Sequence, residues 1–507
     1  MSSSQVSRDA AGERNGRRSE QATHEAGKRS LEGRRAALAL LAAAQFMSVL
    51  DATVITVALP SIQSDLSLSM SELSWVINAY VLTFGGFLLL AGRLADLSGR
   101  RLVLVLGWGL FGGASLVAGL AGSGATLIGA RAVQGLGAAL MVPAALALLT
   151  TIFSGRSLAA AFGVWGAVSG GAGAVGVLLG GALTDAAGWE WVFFINVPVA
   201  VVGAVAAPAV LPEAKLPRTS YDIAGGLTIT AGLTVLVYAL VETESNAWGS
   251  TTTLTLLAGA LCLVALFVAI EARVEHPLVR LAFFRNAPVS YANAAGVMFG
   301  ASVLVPLFFF STLYLQRVLD YSPQVAGLAY LPMAVASLSG AWIASQVMSR
   351  AGAGPVLIAA LLAGTLGMFG FAQASVDGAY VGDVLGPFVL LGLGLGPVIA
   401  ALSAAGTDGV GEHEAGLASG LINTTQQIGG AIGLAILVSI AGRRSEQAAA
   451  LRGGPLSEQP AALVEGFHLA FYVGGGVSAV AIAFAALGLT ARRRRTTVAP
   501  VSLAGRR

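Results

Sequence analysis

Fourteen hydrophobic runs follow one another along this chain, each near the 20 or so residues that a helix needs to cross a bilayer. They fall at about 36–60, 73–92, 102–121, 125–153, 158–184, 190–211, 222–241, 252–271, 288–311, 324–347, 354–374, 380–405, 414–441 and 466–490. Water cannot solvate so much apolar surface. Only 11% of the 507 residues are charged and 56% are hydrophobic, against about 25% charged in a soluble domain. A water-soluble globular protein and a disordered one are both excluded. The fold class read from this pattern is an all-α polytopic membrane protein. Its spans group as six, a pair, and six, with short connections that leave no room for a sizeable soluble domain. The expected organisation is a disordered cytoplasmic tail (1–35), an N-terminal six-helix bundle (36–211), a two-helix linker with flanking loops (212–287), a C-terminal six-helix bundle (288–490) and a basic cytoplasmic tail (491–507).

The basic residues fix the orientation. Cytoplasmic loops carry the excess of Lys and Arg. With both tails inside, only Arg317, Arg443, Arg444 and Arg452 of the 29 basic residues fall on the outer side, and Arg131 falls within a span. The protein is therefore expected in the inner (cytoplasmic) membrane with both termini in the cytoplasm. The same placement explains the basic tails without nucleic acid, although Arg492–Arg495 could attract anionic lipid. The apolar stretch behind Arg34 and Arg35 runs on to Leu59, too long for a signal peptide; it reads as an uncleaved first span. The one cysteine, Cys262, and four scattered histidines offer neither a disulfide nor a zinc motif. No metal, no cofactor and no clustered catalytic constellation is expected, so the chain reads as a transporter and not an enzyme, working as a monomer. The 66 glycines fit close helix packing in a membrane.

Most acidic residues sit at span ends, where water solvates them. Asp51 does not: Phe46 to Leu50 precede it and Val54 to Leu59 follow. Arg131 lies inside the fourth run. Charges within a membrane are costly and mark the bundle interior or a wet cavity. At 1.5 Å per residue, Asp51 is about 12 Å and Arg131 about 9 Å from the outer ends of their spans, so the two could meet. A carboxyl whose burial and whose distance to a guanidinium change with conformation exchanges a proton with that change. The pair is thus a proton-coupling device that needs no cofactor.

Several motifs resemble those of a known family. The first span carries Leu50-Asp51-Ala52-Thr53-Val54-Ile55-Thr56-Val57-Ala58-Leu59-Pro60. Between spans two and three lies Gly92-Arg93-Leu94-Ala95-Asp96-Leu97-Ser98-Gly99-Arg100-Arg101. Span four holds Arg131-Ala132-Val133-Gln134-Gly135-Leu136-Gly137, and Gly188-Trp189-Glu190-Trp191-Val192-Phe193-Phe194-Ile195-Asn196-Val197-Pro198 leads into span six. Tyr314-Leu315-Gln316 with Tyr321-Ser322-Pro323, and Ala418-Ser419-Gly420 with Asn423-Thr424-Thr425-Gln426-Gln427, follow in the second half. In this order, over roughly residues 36 to 490, they resemble the fourteen-helix drug:proton antiporters of the EmrB/QacA type, within the major facilitator superfamily. The resemblance implies the major facilitator fold, a proton-relay role for Arg131 with Asp51, and a cytoplasmic latch at Gly92, Asp96, Gly99, Arg100 and Arg101 that gates the transport cycle. The fifth-span signature of the family is only partly kept. Gly163, Gly176, Gly180 and Gly181 remain for helix packing, while Ala172 stands in place of a glycine and Val177 in place of the proline.

Candidate cavity residues are Trp75, Asn78, Tyr80, Gln134, Asn293, Tyr314, Gln316, Asn423, Gln426 and Gln427. Asn423, Gln426 and Gln427 share a helix face by spacing; interhelical packing or substrate contact would both account for them. A largely apolar cavity with amides and one buried acid suits amphipathic, neutral or weakly cationic molecules. The expected function is proton-driven efflux of hydrophobic or amphipathic small molecules such as antibiotics. Export of an endogenous metabolite, siderophore or lipid is the alternative, and a membrane-bound sensor or enzyme a remote one.

Overall fold

In the computed structural model the described chain is built from helices joined by short connections. The described residues are 33–153, 155–213, 223–242, 248–275, 277, 281–406, 420–454 and 459–490, apart from single side chains inside helices. Asp96 and Gly163 are among those side chains, so these two expectations lie outside the described residues, as do the tails before residue 33 and after 490.

The long helices are α1 (Gly33–Asp65), α2 (Met70–Ser98), α3 (Arg100–Gly119), α4 (Gly124–Ile152), α5 (Gly155–Ala187), α6 (Trp191–Val210), α7 (Ala224–Leu240) and α8 (Thr251–Glu271). They continue as α9 (Ala287–Val318), α10 (Pro323–Ala351), α11 (Ala353–Phe371), α12 (Tyr380–Gly406), α13 (Gly420–Arg452) and α14 (Pro460–Gly488). Among the described residues, eleven helices are long and apolar enough to cross a membrane; α2, α5 and α7 fall short of that on the residues described. The described residues are thus all-helical, and these helices support a multi-pass membrane protein.

Local chemistry sets the helix starts. Ser69 Oγ accepts from the Glu72 amide at 3.2 Å while Glu72 Oε2 accepts from the Ser69 amide at 2.9 Å, a reciprocal cap that opens α2. Ser123, Ser250 and Ser322 cap α4, α8 and α10 in the simpler way, and Pro323 stands at the first helical position of α10. The turns from α2 into α3 and from α10 into α11 each pivot on a glycine at positive φ, Gly99 at 105° and Gly352 at 78°, a conformation that costs glycine little.

Helices α1–α6 pack on one another, and so do α9–α14; α7 and α8 pair together and rest against α2 and α13. The two sets meet where α2 lies along α13, α5 along α10, and α1 beside α9. Successive helices alternate in direction, so the molecule has a basal end, where α1 begins, and a distal end, where α1 finishes. Small residues let the backbones approach. A side chain at Gly180 would collide with the Val54 carbonyl of α1, and one at Gly181 with the Pro323 carbonyl of α10.

One stretch departs from the sequence expectation. Residues 442–465, which fall between the last two hydrophobic runs, are largely helical: α13 runs on to Arg452 and α14 begins at Pro460. The segment is polar, but Ala, Arg, Glu and Gln are strong helix formers. Arg444 and Arg452 both pair with Glu465 across the turn, which accounts for arginines placed at this end of the molecule.

Candidate functional site

Five helices converge on one carboxylate. Asp51 of α1 is fully buried, and Arg131 of α4 is 1% exposed. Arg131 Nη1 donates to Asp51 Oδ2 at 2.6 Å and to Gln134 Oε1 at 2.6 Å, while Arg131 Nε donates to the Val76 carbonyl of α2 at 3.1 Å. The other carboxylate oxygen, Oδ1, accepts from Gln134 Nε2 at 2.6 Å and from Asn196 Nδ2 of α6 at 2.8 Å. Ser115 Oγ of α3 accepts from Gln134 Nε2 at 2.9 Å and donates to the Phe111 carbonyl at 2.7 Å. The guanidinium carbon of Arg131 stands 4.3 Å from the centre of the Tyr80 ring, a cation–π contact. Tyr80 in turn bonds to Ser48 of α1, its hydroxyl 3.3 Å from Ser48 Oγ.

A buried ion pair is tolerated only when its remaining donors and acceptors are also satisfied. Here both carboxylate oxygens and two of the three guanidinium nitrogens have partners. The pair is the one that matching depth in the sequence predicts. Asn196 of α6 and Ser115 of α3 join it, a membership that a lone polar residue in an apolar span does not reveal. Asn196 is fully buried with its Oδ1 unpartnered.

The glycine-rich turn after α2 holds a second constellation, at the basal end. Arg100 Nη1 donates to the Ala147 carbonyl of α4 at 3.0 Å and bonds to Thr151 Oγ1. Arg101 reaches the Pro208 and Leu211 carbonyls at the end of α6, at 3.2 and 3.3 Å, and pairs with Glu213 at 2.9 Å. Arg34 Nη2 donates to the Ile152 carbonyl at 2.8 Å. Three arginines thus cover the C-terminal carbonyls of α4 and α6, where the helix dipole favours cations. Gly92 lies 3.5 Å from Pro143, counted from an added Cβ, so α2 and α4 run close there too.

The expected cavity residues do not form one group. Trp75 packs against Tyr238 of α7 with ring centres 6.4 Å apart. Asn78 is fully buried and neither of its amide atoms has a partner. Tyr80 and Gln134 belong to the Asp51 cluster. Tyr314 donates to the Ser375 carbonyl at 2.7 Å, and Gln316 Nε2 to the Val57 carbonyl of α1 at 2.7 Å. Asn293 accepts from Thr425 Oγ1 at 3.2 Å. On α13, Gln426 is buried and Asn423 exposed, while the Gln427 Cβ lies where a side chain at Gly85 of α2 would fall, 2.9 Å away. A cavity of about 420 Å³ opens elsewhere, at the basal end of α9–α14, between Tyr291, Met348, Leu357 and Phe484. A smaller one of about 70 Å³ lies between α5 and α10, bounded by Val177, Tyr330 and Ser337. Among the described residues, no group of three His, Cys, Asp or Glu side chains could hold a metal ion.

Residues 41–434 match the family described as Major Facilitator Superfamily. The chain belongs to that superfamily. It is 42% identical over 417 residues to the cephamycin export protein CmcT of Amycolatopsis lactamdurans, covering 80% of this chain and 85% of that one. It is 39% identical over 462 residues to the puromycin resistance protein pur8 of Streptomyces alboniger, covering 90% and 89%. Among solved structures, its fold is similar to a bacterial homologue of the human lysosomal transporter Spinster in an inward-facing, unoccupied conformation. That likeness has a TM-score of 0.63 at 18% identity over 91% of this chain and 97% of the other. The POT family transporter PepTSo gives a TM-score of 0.65 at 14% identity, over 91% and 99%. These two likenesses concern the fold.

Proposed function

We propose that this protein is a proton-driven exporter of hydrophobic or amphipathic small molecules, antibiotics among them, across the cytoplasmic membrane. In this reading the fourteen helices are fourteen spans arranged as six, two and six, in the manner of the EmrB/QacA antiporters. Both termini are cytoplasmic, so the basal end faces the cytoplasm. The export and resistance proteins to which the chain is 42% and 39% identical support the cargo class.

The observation that carries the proton coupling is the enclosure of Asp51. Its ionised form is held by Arg131, Gln134 and Asn196, from helices that belong to one half of the molecule. Protonation cancels the charge that holds Arg131, and a neutral carboxyl can no longer accept from every donor now aimed at it. Arg131 keeps Val76 and Gln134 as partners. Its guanidinium is thereby released from α1 while still tied to α2 and α4. Loading and unloading the proton changes how α1 is held against α4, and a cargo that favours one arrangement is thereby coupled to the proton gradient.

Asp51→Asn tests this. The amide preserves shape and one acceptor but cannot exchange a proton. Purified protein in liposomes with an imposed pH gradient should fold and insert normally yet lose gradient-driven transport of puromycin or cephamycin. Full coupled transport by the variant would remove Asp51 from the mechanism.

A further inference from the structure

The cluster around Asp51 is built of donors, with one acceptor left over. Asn196 of α6 is fully buried. Its Nδ2 donates to Asp51 Oδ1 at 2.8 Å and stands 3.4 Å from Ser115 Oγ, while its own Oδ1 has no partner. The carboxylate dictates that orientation: an ionised carboxyl only accepts, so it draws the NH2 end of a neighbouring amide toward itself. The other acceptors beside it are engaged. Gln134 Oε1 accepts from Arg131 Nη1 at 2.6 Å, the Val76 carbonyl from Arg131 Nε at 3.1 Å, and Ser115 Oγ from Gln134 Nε2 at 2.9 Å. An ionised Asp51 is well served by this arrangement. A protonated one is not, because its O–H is a new buried donor, and a buried donor without an acceptor is costly.

We propose that Asn196 is the positioning residue of the protonated state: its amide turns over when Asp51 takes up a proton, and Oδ1 accepts from the Asp51 O–H. This deepens the proton-coupled reading above and rests on it. The proton stays on Asp51, and only the amide rotates. A half-turn about the Cβ–Cγ bond exchanges the two ends, so Nδ2 takes the place where Oδ1 now stands without a partner. One amide atom is left over in either state, and the cost of burying it therefore favours neither. Gln134 is not free to do the same, since turning its amide would break the bonds to Arg131, Asp51 and Ser115 together. The charged and titratable groups facing Asp51 are Arg131 from α4 and Tyr80 from α2. Helices α3, α5 and α6 present Ser115, Gly176 and Asn196, and the stretches of α9 and α10 against α1 (Pro306–Leu313 and Pro323–Ala329) hold no ionisable side chain. The consequence is directional. Asn196 ties α6 to α1 whether the proton is on or off, so the release that follows protonation is confined to the contact of α1 with α4.

Infrared difference spectra of the purified protein in liposomes, acid minus neutral, test this with carbon-13 in the asparagine side-chain carbonyls. Protonation of Asp51 is read as a carboxylic acid band that is missing in Asp51→Asn. In the parent, one asparagine carbonyl band should move to lower wavenumber as that acid band appears, because the oxygen then accepts a hydrogen bond. The shift should be absent from Asn196→Leu and from Asp51→Asn. Gradient-driven efflux of puromycin should fall about tenfold in Asn196→Leu, the effect of one lost hydrogen bond, and less in Asn196→Gln, which keeps both amide atoms. Efflux down puromycin's own gradient should survive in both. Should Asn196→Leu fail to fold, the parent shift and its loss in Asp51→Asn decide the matter. An acid band from Asp51 with no asparagine shift, or a shift that persists in Asn196→Leu, would overturn the role of Asn196. A parent that shows no acid band from Asp51 at any pH where it stays folded would instead defeat the proton-coupled reading, and the amide switch with it.

Discussion

The main chain of Tyr80 lies so close to Gly135 that a methyl group added there would run into the Tyr80 carbonyl and the Thr83 hydroxyl. This contact between α2 and α4 lies one turn from Arg131, and it is what brings the guanidinium over the Tyr80 ring and within reach of the Val76 carbonyl. Gly135→Ala should therefore force the helices apart, costing about 1–3 kcal/mol as overpacking does. The expected readout is a lower melting temperature in detergent together with reduced gradient-driven export.

Arg131→Ala should be more damaging. It leaves the Asp51 carboxylate buried with only amide donors, and breaking a buried pair from one side costs about 3–5 kcal/mol. Adding Asp51→Asn to Arg131→Ala should recover much of the melting temperature without recovering transport. Equal melting temperatures for the single and double variants would show that the pair carries no such coupling.

Asn78→Leu is expected to act in the opposite direction. Both amide atoms of Asn78 are buried without partners, a burial worth about 1–3 kcal/mol against the state that contains it. An apolar side chain of similar size should raise the melting temperature. A fall would indicate that Asn78 has a bonding partner under the conditions of the measurement.

At the basal end the two arginines of the turn should differ. The Arg101–Glu213 pair has a Glu213 side chain 70% exposed, and such pairs contribute about 0–1 kcal/mol. Glu213→Gln should leave both stability and transport nearly unchanged. Arg100→Ala removes a donor from the end of α4, at Ala147 and Thr151, and should slow transport while sparing insertion. Transport rates in liposomes, compared at low and high salt, separate the two.

Much of the scaffold is written in the hydrophobic pattern, because a lipid-spanning helix must be apolar along its length. The predicted start of the third run at 102 and the observed helix from Arg100 differ by one half-turn. Residues 442–465 escaped that logic, since a helix that emerges from the bilayer keeps its backbone bonds while its side chains turn polar. At the site, a charge in an apolar span announces itself, which is why Asp51 and Arg131 could be paired by depth. The same reasoning cannot identify Ser115 and Asn196, as a hydroxyl or an amide can bond to its own helix. Nor can it tell that Trp75 turns toward Tyr238, because the face a residue presents depends on helix rotation, which packing decides.

The helix pair α7–α8 has a consequence for traffic in the plane of the membrane. It lies over the line where α2 meets α13: Thr230 fills the space at Gly86, Leu90 crowds Gly226, and Phe267 joins Leu421 beside Leu90 and Ile229. On the opposite flank, α10 keeps Val335, Leu338 and Trp342 exposed, and no described helix covers the α5–α10 line in the same way. The protein therefore has a front and a back to the lipid. A molecule dissolved in the bilayer can approach the junction of the halves by the α5–α10 flank, while on the other side it meets a wall.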